Sequence, residues 1–376
     1  MDDRYAWLPD DQLHVVETLA YVDQLIGRAG DLHFAHLEAG AFEPQDIVDG
    51  ATTRVRVKSV REMPAALPRI VADILNQLRS AVEHVLLVEV RRAEGRSLSP
   101  TEERALEMPT AASAPDFAAW PTSHRGRKSL TCLRPGAPMY QRIESLMPFH
   151  RRDPESHPLR ALAAFTNAAK HRAPAVAPTR IARVNSDFGD ERLVPADLEV
   201  RPVRVGDVLA TAPTGAVIPL SVWPSICLKH PDTGAWKVLM KELSIMEEWV
   251  RIAAVPVLIS GGTQVQKIRP HIDVCVPVLD LRGAMANAPE ATAFDLDSKR
   301  LRAVVARMGL EETAILNTMA GEPRVVMAWS ASLSDDEVLH WSNQLIAAKD
   351  RSDLASNWVV AVEAAVARFL TDQMPE

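Results

Sequence analysis

Residues 64–92, PAALPRIVADILNQLRSAVEHVLLVEVRR, carry apolar side chains at intervals of three and four along the whole stretch. This spacing places them on one face of an α-helix, because the helix completes a turn every 3.6 residues. Gly95 follows where such a helix would stop. We therefore predict a long helix that is buried on one side, with an apolar face of Leu67, Ile70, Val71, Ile74, Leu75, Leu78, Val82, Val85 and Leu86.

The segments on either side of this helix have equally regular patterns. Residues 10–38 repeat the helical spacing, whereas Thr52–Val60 (TTRVRVKSV) alternates apolar and polar side chains as a strand does. Residues 99–102 (SPTE) form a capping box with proline at the first helical position, which predicts a short helix. After a predicted loop over 109–121, we expect helices at 139–146 and 158–170.

Beyond residue 176 the pattern changes to short β-favouring runs separated by glycine- and proline-containing turns, which is typical of antiparallel hairpins. The turn at 231–234 (PDTG) precedes a predicted helix over 235–254. Gly261-Gly262 then resembles a domain boundary. The remaining elements predicted are strands at 272–278 and 325–329 and helices at 297–308, 311–319, 335–348 and 354–370.

These elements predict an α+β fold with an N-terminal helical domain and an antiparallel β region, followed by a small C-terminal α/β domain. The expected domains are a helical one over 1–175, a β region with a helix packed on it over 176–260, and the α/β domain over 265–376.

Composition limits the class of protein. Hydrophobic residues make up 47% of the 376 residues and charged residues 24%, which favours globular domains over disorder. Three widely spaced cysteines indicate neither a disulfide framework nor a thiolate zinc site. No apolar run approaches the ~20 residues that span a bilayer, so we expect a cytoplasmic protein without membrane contact.

The formal net charge of −7 is unevenly distributed. Residues 124–183 carry twelve Lys or Arg against three acidic residues, a formal +9, which leaves −16 for the rest of the chain. This segment predicts contact with an anion, nucleic acid being the first candidate, unless its arginines pair with acidic faces elsewhere in the fold. The expected nucleic-acid contacts are Arg125, Arg127, Lys128, Arg151, Arg152, Lys170, His171 and Arg172.

Several well-known catalytic and cofactor motifs are absent from the sequence. It contains no phosphate-binding glycine loop of the GxxxxGK[ST] or GxGxxG type, no HExxH and no GxSxG. Asp31, His33, His36 and Glu38 are close together in sequence, but a metal site needs three or four converging ligands with supporting contacts. We therefore expect a solvated helix end there, and neither a metal nor a cofactor.

Two motifs resemble a known family. DILNQLRSAVEH (residues 73–84) and NAAKHR (residues 167–172) are similar to the paired motifs of a widespread, largely uncharacterised bacterial family. The resemblance covers roughly residues 10–260 and implies no established activity. The residues between the motifs differ from the family pattern at Trp120-Pro121-Thr122.

Arg79 and His84 also resemble the Arg-x4–6-His motif of HEPN-type ribonucleases. That resemblance implies that Arg79 stabilises a phosphate and His84 acts as acid and base in metal-independent RNA cleavage. Both roles agree with the chemistry of guanidinium and imidazole. The two residues lie about 140° apart on an ideal helix, so they would meet only through a distortion, a long arginine rotamer or a partner subunit.

A purely structural interpretation of the same residues stays open. Glu83, four residues after Arg79, can pair with it, and His84 can hydrogen-bond within the helical core. Asn167, Lys170 and Arg172 can cap a helix end. The sequence thus supports two hypotheses: a HEPN-like module that cleaves or binds RNA, with a homodimer or partner protein possible, or a non-catalytic scaffold.

Overall fold

In the computed structural model, two long helices, α1 (His14–Glu38) and α2 (Leu67–Glu94), pack against each other at the centre of the main core. The helix predicted over 64–92 is confirmed, and each residue of its predicted apolar face is buried. Gly95 ends α2 with a φ of 65°, a left-handed conformation that glycine adopts without steric cost.

The fold is α+β, with a helical N-terminal region as predicted. The structure describes residues 3–170, 172–179, 184–186, 194–195, 201–214, 220–222, 225–273, 280–316, 323–346 and 351–372.

All the strand pairings in the described residues are antiparallel and form three small sheets. The largest has the order β1-β2-β6-β5, so it joins the hairpin between α1 and α2 to strands that follow more than 130 residues later. The other sheets have the orders β3-β8-β9 and β4-β7. The strands are β1 (Phe42–Asp49), β2 (Thr52–Val60), β3 (Val176–Thr179), β4 (Val184–Ser186), β5 (Val194–Pro195), β6 (Val208–Pro213), β7 (Leu220–Val222), β8 (Ser225–Lys229) and β9 (Trp236–Val238).

Shorter helices cover the central pair. The capping box at Ser99 forms as predicted and opens α3, with Ser99 Oγ accepting from the Glu102 amide and the Glu102 carboxylate accepting from the Ser99 amide. The helices between α2 and residue 260 are α3 (Pro100–Ala105), α4 (Ala114–Ala119), α5 (Arg125–Lys128), α6 (Pro138–Ser145), α7 (Pro158–Ala169), α8 (Leu239–Trp249) and α9 (Val255–Ser260).

A π-helical turn, Val250–Ala254, joins α8 to α9. Pro256 lies just beyond it and has no amide hydrogen, so the i to i−4 hydrogen-bond pattern is interrupted at this point.

Two local predictions before residue 260 are wrong. The predicted loop over 109–121 contains α4, whose first turn is capped by Ser113. The helix predicted from residue 235 begins at Leu239, because residues 236–238 form β9 and pair with β8.

The chain divides into two compact units, Met1–Phe294 and Asp295–Glu376, so the boundary expected at Gly261-Gly262 lies instead at residue 294. The physical reason is burial: Ile268, Ile272 and Met285 belong to the main hydrophobic core. The Arg251 guanidinium also donates to the Ile268 carbonyl at 3.1 Å. A short helix, α10 (Leu281–Asn287), completes this unit.

All the regular secondary structure in the described residues of the second unit is helical, which corrects the expected α/β domain. Residues 325–329, predicted as a strand, lie within a helix, and the strand predicted over 272–278 falls mainly outside the described residues. The helices are α11 (Ala293–Leu316), which crosses the boundary, α12 (Pro323–Ser332), α13 (Asp335–Ile346) and α14 (Arg351–Asp372). The core of this unit contains Ala306, Leu310, Trp329, Leu333, Val338, Trp358 and Ala361.

Candidate functional site

Arg79 lies on the side of α2 that faces the chain after α3. Its Nη2 is 2.6 Å from Glu83 Oε1 and donates to the Met108 carbonyl at 2.9 Å. The Glu107 carboxylate is farther away, at 3.6 Å, and is 70% exposed, whereas the Arg79 side chain is only 13% exposed. The guanidinium is therefore largely shielded and held by two close acceptors.

Glu83 completes this arrangement. Its Oε2 accepts a hydrogen bond from the Met108 amide at 2.9 Å, so Arg79 and Glu83 together bind both the N–H and the C=O of one residue. Burial raises the pKa of Glu83, while Arg79 and the Met108 amide act in the opposite direction. The pair joins α2 to residue 108, and the pairing of Arg79 with Glu83 that the structural interpretation expects is confirmed.

His84 points elsewhere. It is exposed, and its ring lies 5.9 Å from that of His14 at the start of α1. Arg79 thus contacts the loop after α3 while His84 lies against α1, as expected for residues about 140° apart on a helix. Within one chain these two side chains do not form the joint phosphate and proton-transfer site that the HEPN-type resemblance implies.

The second motif lies at the end of α7. Lys170 Nζ donates to Asn167 Oδ1 at 3.3 Å, and the Arg172 amide donates to the Ala168 carbonyl at 3.1 Å. This agrees with the helix-end role of the structural interpretation, yet the Lys170 and Arg172 side chains are exposed. His171 lies outside the described residues.

The basic segment contains cations of two kinds. Arg127 belongs to the first kind: it donates to the carbonyls of Trp120 and Ala105 at 3.0 and 2.6 Å and to Ser123 Oγ at 2.6 Å. Burial lowers its pKa, and its guanidinium lies over the Trp120 ring. Arg127 therefore holds local structure and is a poor candidate for a nucleic-acid contact.

Two further arginines of this segment have structural roles. Arg142 donates to the carbonyls of Leu258 and Ile259, both at 2.9 Å, at the end of α9. Arg160 pairs with Glu155 at 2.8 Å.

The second kind is exposed. Arg125 and Lys128 on α5, and Arg151 and Arg152 before α7, are all exposed. Within the described part of the chain, none of the four has a side-chain ion pair. The expectation that the arginines of this segment are neutralised by acidic faces therefore does not hold for these positions.

Within the residues that the structure describes, neither the acidic and histidine cluster of α1 nor Cys132 has the surroundings of a metal or nucleophilic centre. No group of three or more His, Cys, Asp or Glu residues within the described ranges could hold a metal ion. Burial, then Arg61 and His33, lower the pKa of His36. Cys132 is buried, and burial raises the pKa of its thiol to about 12, which leaves almost no thiolate at neutral pH.

Sequence reasoning missed the residues opposite the end of α7. A pocket there is lined by Arg172 and by residues of the β8–β9 hairpin, Lys229 and His230 among them. The only sequence signal is the predicted turn at 231–234. The turn lies opposite the end of α7 because β3 pairs with β8, and no local sequence pattern predicts that pairing.

Comparison with protein-family models, curated proteins and solved structures found no match for this chain. The resemblance to the bacterial family and to HEPN-type domains therefore stays a prediction that depends on two short motifs. None of the helices in the described residues is both long and apolar enough to cross a bilayer.

Proposed function

We propose that this protein binds RNA through the exposed cations of its basic segment and does not cleave it with Arg79 and His84 of one chain. The observation that supports binding is the set of four exposed side chains without an ion pair in the described chain, Arg125, Lys128, Arg151 and Arg152.

The physical basis is the charge of the nucleic-acid backbone. Cations that contact phosphates release condensed counterions, which gives affinity without sequence preference and makes it fall as salt rises. Side chains that already hold carbonyls or carboxylates, such as Arg127 and Arg160, contribute little to this effect.

Cleavage by Arg79 is disfavoured because its side chain is only 13% exposed, its Nη2 is held by the Glu83 carboxylate and the Met108 carbonyl, and its Nη1 is buried, so a phosphate could reach the guanidinium only if this packing opened. A partly buried ion pair that loses one member leaves an uncompensated charge, which is costly.

The test measures binding of a fluorescently labelled single-stranded RNA at several salt concentrations. Two double variants, Arg125→Ala/Lys128→Ala and Arg151→Ala/Arg152→Ala, should each bind more weakly. Each should also reduce the slope of log affinity against log salt by about 1.4, since each lost contact to single-stranded RNA contributes about 0.7. The matched control is Arg28→Ala/Arg69→Ala, which removes two exposed cations outside the segment and should bind as the wild type does.

Equal affinity of the wild type and both double variants would overturn the binding proposal. A second arm incubates transfer RNA with the wild type and with His84→Ala in EDTA. Cleavage by the wild type that His84→Ala abolishes would contradict the non-catalytic part of the proposal.

A further inference from the structure

A pocket of about 390 Å³ lies between the end of α7 and the β8–β9 hairpin. Its volume is near the lower end of the range of about 300 to 1,000 Å³ that small-molecule sites occupy. Among the residues that line it are Phe165, Arg172, Pro174, Lys229, His230 and Asp232.

Two cations are available to a ligand in this pocket. The Arg172 and Lys229 side chains are exposed, and neither has a carboxylate partner within the described residues. Lys229 Nζ lies 5.9 Å from the centre of the Trp236 ring, a contact that leaves its hydrogen-bond donors free. Asp232 supplies a carboxylate at the same site. The lining therefore combines two positive charges with one hydrogen-bond acceptor of negative charge.

His230 is fixed between the two walls of the pocket. It is 4% exposed, its Nδ1 accepts from the amides of Asp232 and Thr233 at 3.3 Å, and its ring lies 5.3 Å from that of Phe165. With Nδ1 as acceptor, the neutral ring carries its proton on Nε2. Burial and the nearby Lys237 lower the pKa of His230, which favours this neutral form at neutral pH.

The hairpin loop is also held in place by its backbone. The His230 amide donates to the Ala235 carbonyl at 2.8 Å, and the Gly234 amide donates to the His230 carbonyl at 2.9 Å. Gly234 has a φ of 71°, a conformation that residues with a side chain rarely adopt. Lys229 and Asp232, on either side of His230, are therefore presented from an ordered turn.

We propose that this pocket binds a phosphate monoester on a hydroxylated sugar, as in a ribonucleoside 5′-monophosphate. Arg172 and Lys229 bind the phosphate, for which a guanidinium and an ammonium are the usual partners. The Asp232 carboxylate accepts hydrogen bonds from the sugar hydroxyls, a role that acidic residues have in other nucleotide sites. The inference goes beyond the proposed RNA binding, which uses other residues, and it can hold where that proposal fails.

The experiment titrates the full chain with adenosine 5′-monophosphate, adenosine and inorganic phosphate in a calorimeter. The monophosphate should bind at least tenfold more tightly than adenosine. Arg172→Ala and Lys229→Ala should each lower the affinity for the monophosphate about tenfold or more, because hydrogen bonds to charged groups contribute about 1.5–3 kcal/mol. Arg69→Ala, an exposed cation on α2, is the matched control and should bind as the wild type does.

Asp232→Ala tests the sugar contact. The substitution should weaken binding of the monophosphate but not of inorganic phosphate. The carboxylate attracts the sugar hydroxyls, which inorganic phosphate lacks, and it repels the phosphate group. Equal binding of adenosine and the monophosphate, or unchanged binding in both cation variants, would overturn the assignment. Arg172→Ala and Lys229→Ala both replace exposed side chains, so circular dichroism should show that each variant keeps its fold.

The same chemistry is present in a free nucleotide and at the 5′ end of an RNA chain. An RNA with a 5′-phosphate is compared with the same RNA carrying a 5′-hydroxyl. Tighter binding of the phosphorylated RNA that Arg172→Ala abolishes assigns the pocket to chain ends. Equal binding of both RNAs, together with retained binding of the monophosphate, assigns it to free nucleotides. Arg151→Ala/Arg152→Ala should leave monophosphate binding unchanged, which separates this site from the basic segment.

Discussion

A guanidinium that is largely buried against a carboxylate and a carbonyl is far less available to a phosphate than one that is exposed to solvent. Arg79 is such a residue, because its Nη2 contacts the Glu83 carboxylate and the Met108 carbonyl. Arg125 and Arg152 are in the opposite position, exposed and without an ion pair within the described chain. At the scale of single residues, exposure and existing partners decide which arginines can bind a ligand, and the arginine with the family-like motif is the less available one.

Replacing Glu83 should therefore destabilise the fold. Glu83→Ala leaves the Met108 amide without its acceptor and Arg79, 13% exposed, without its close counterion. We expect a loss of about 1–3 kcal/mol in the free energy of unfolding, measured by urea denaturation. Glu107→Ala is the matched control: it removes an exposed carboxylate 3.6 Å from the same guanidinium and should cost less than about 1 kcal/mol. Equal effects of the two substitutions would contradict the structural role of Glu83.

The same residues show what sequence reasoning can reach. The spacing of four between Arg79 and Glu83 predicts their pairing, because such residues are neighbours on a helix surface. The contact of both with Met108 depends on a loop that returns to α2 after α3, and no local pattern contains that information. The pocket beside Arg172 escapes prediction for the same reason, because its two walls are about sixty residues apart in sequence and are brought together by the pairing of β3 with β8.

At the scale of elements, length separates the predictions that are confirmed from those that are wrong. The sequence predicts α1, α2 and α7 to within a few residues, because each repeats its apolar side chains over three or more turns. Residues 325–329 (VVMAW) are a short apolar run that fits a strand or a helix equally well, and α12 shows that the helix is adopted. Residues 236–238 form β9 because β8 offers a pairing partner, which overrides the local helical pattern.

The first turn of α7 makes stability depend on pH. His157 is buried, its Nδ1 accepts from the Leu159 amide at 3.1 Å, and its ring meets that of Trp249 edge-on. Burial, followed by the nearby Arg151 and His150, lowers the pKa of His157 from 6.5 to about 4. Between pH 6.5 and pH 4 the unfolded chain binds a proton at His157 and the folded chain does not. The contribution of His157 to stability is therefore present above pH 6.5 and is lost as the pH falls towards 4.

We expect His157→Asn to remove this component. Asparagine is a good N-cap residue and does not titrate, so the variant should lose less stability than the wild type between pH 6.5 and pH 4. The difference is roughly 3 kcal/mol at most, taken from the shift in pKa. The measurement is urea denaturation across that pH range. His124→Asn changes the exposed cap of α5 and should keep the steep dependence, because His157 is still present. Parallel pH profiles for His157→Asn and the wild type would refute the assignment.

At the scale of the whole molecule, two separate hydrophobic cores explain the division of the chain. The core around α1 and α2 takes in residues as far as Phe294, including Ile268 and Met285, which lie beyond the paired glycines at 261–262. Among the described residues, the core of the second unit is formed by residues of α11 to α14 and by Leu333 between α12 and α13. A glycine pair signals a possible boundary from sequence, but burial of the residues after it decides where the boundary is.

Because the two units have separate hydrophobic cores, a substitution in the core of the second unit should destabilise that unit and leave the first intact. Leu310 is 1% exposed in the core of the second unit, and Leu310→Ala should lower the local stability by about 2–5 kcal/mol through lost burial and the cavity left behind. Hydrogen exchange should then be faster in α12 to α14, whereas the amides of α1 and α2 should keep their protection. The readout is mass-spectrometric hydrogen exchange of the full chain.

Met308→Ala provides the comparison within the same helix. Met308 is 46% exposed, so its truncation removes little buried surface and should leave exchange in α12 to α14 near that of the wild type. Equal acceleration in α2 and in α14 after Leu310→Ala would mean that both cores unfold as one cooperative unit, and the division at residue 294 would then not be an energetic one. Acceleration confined to α12 to α14 would show that the second unit can lose structure while α1 and α2 of the first unit stay protected.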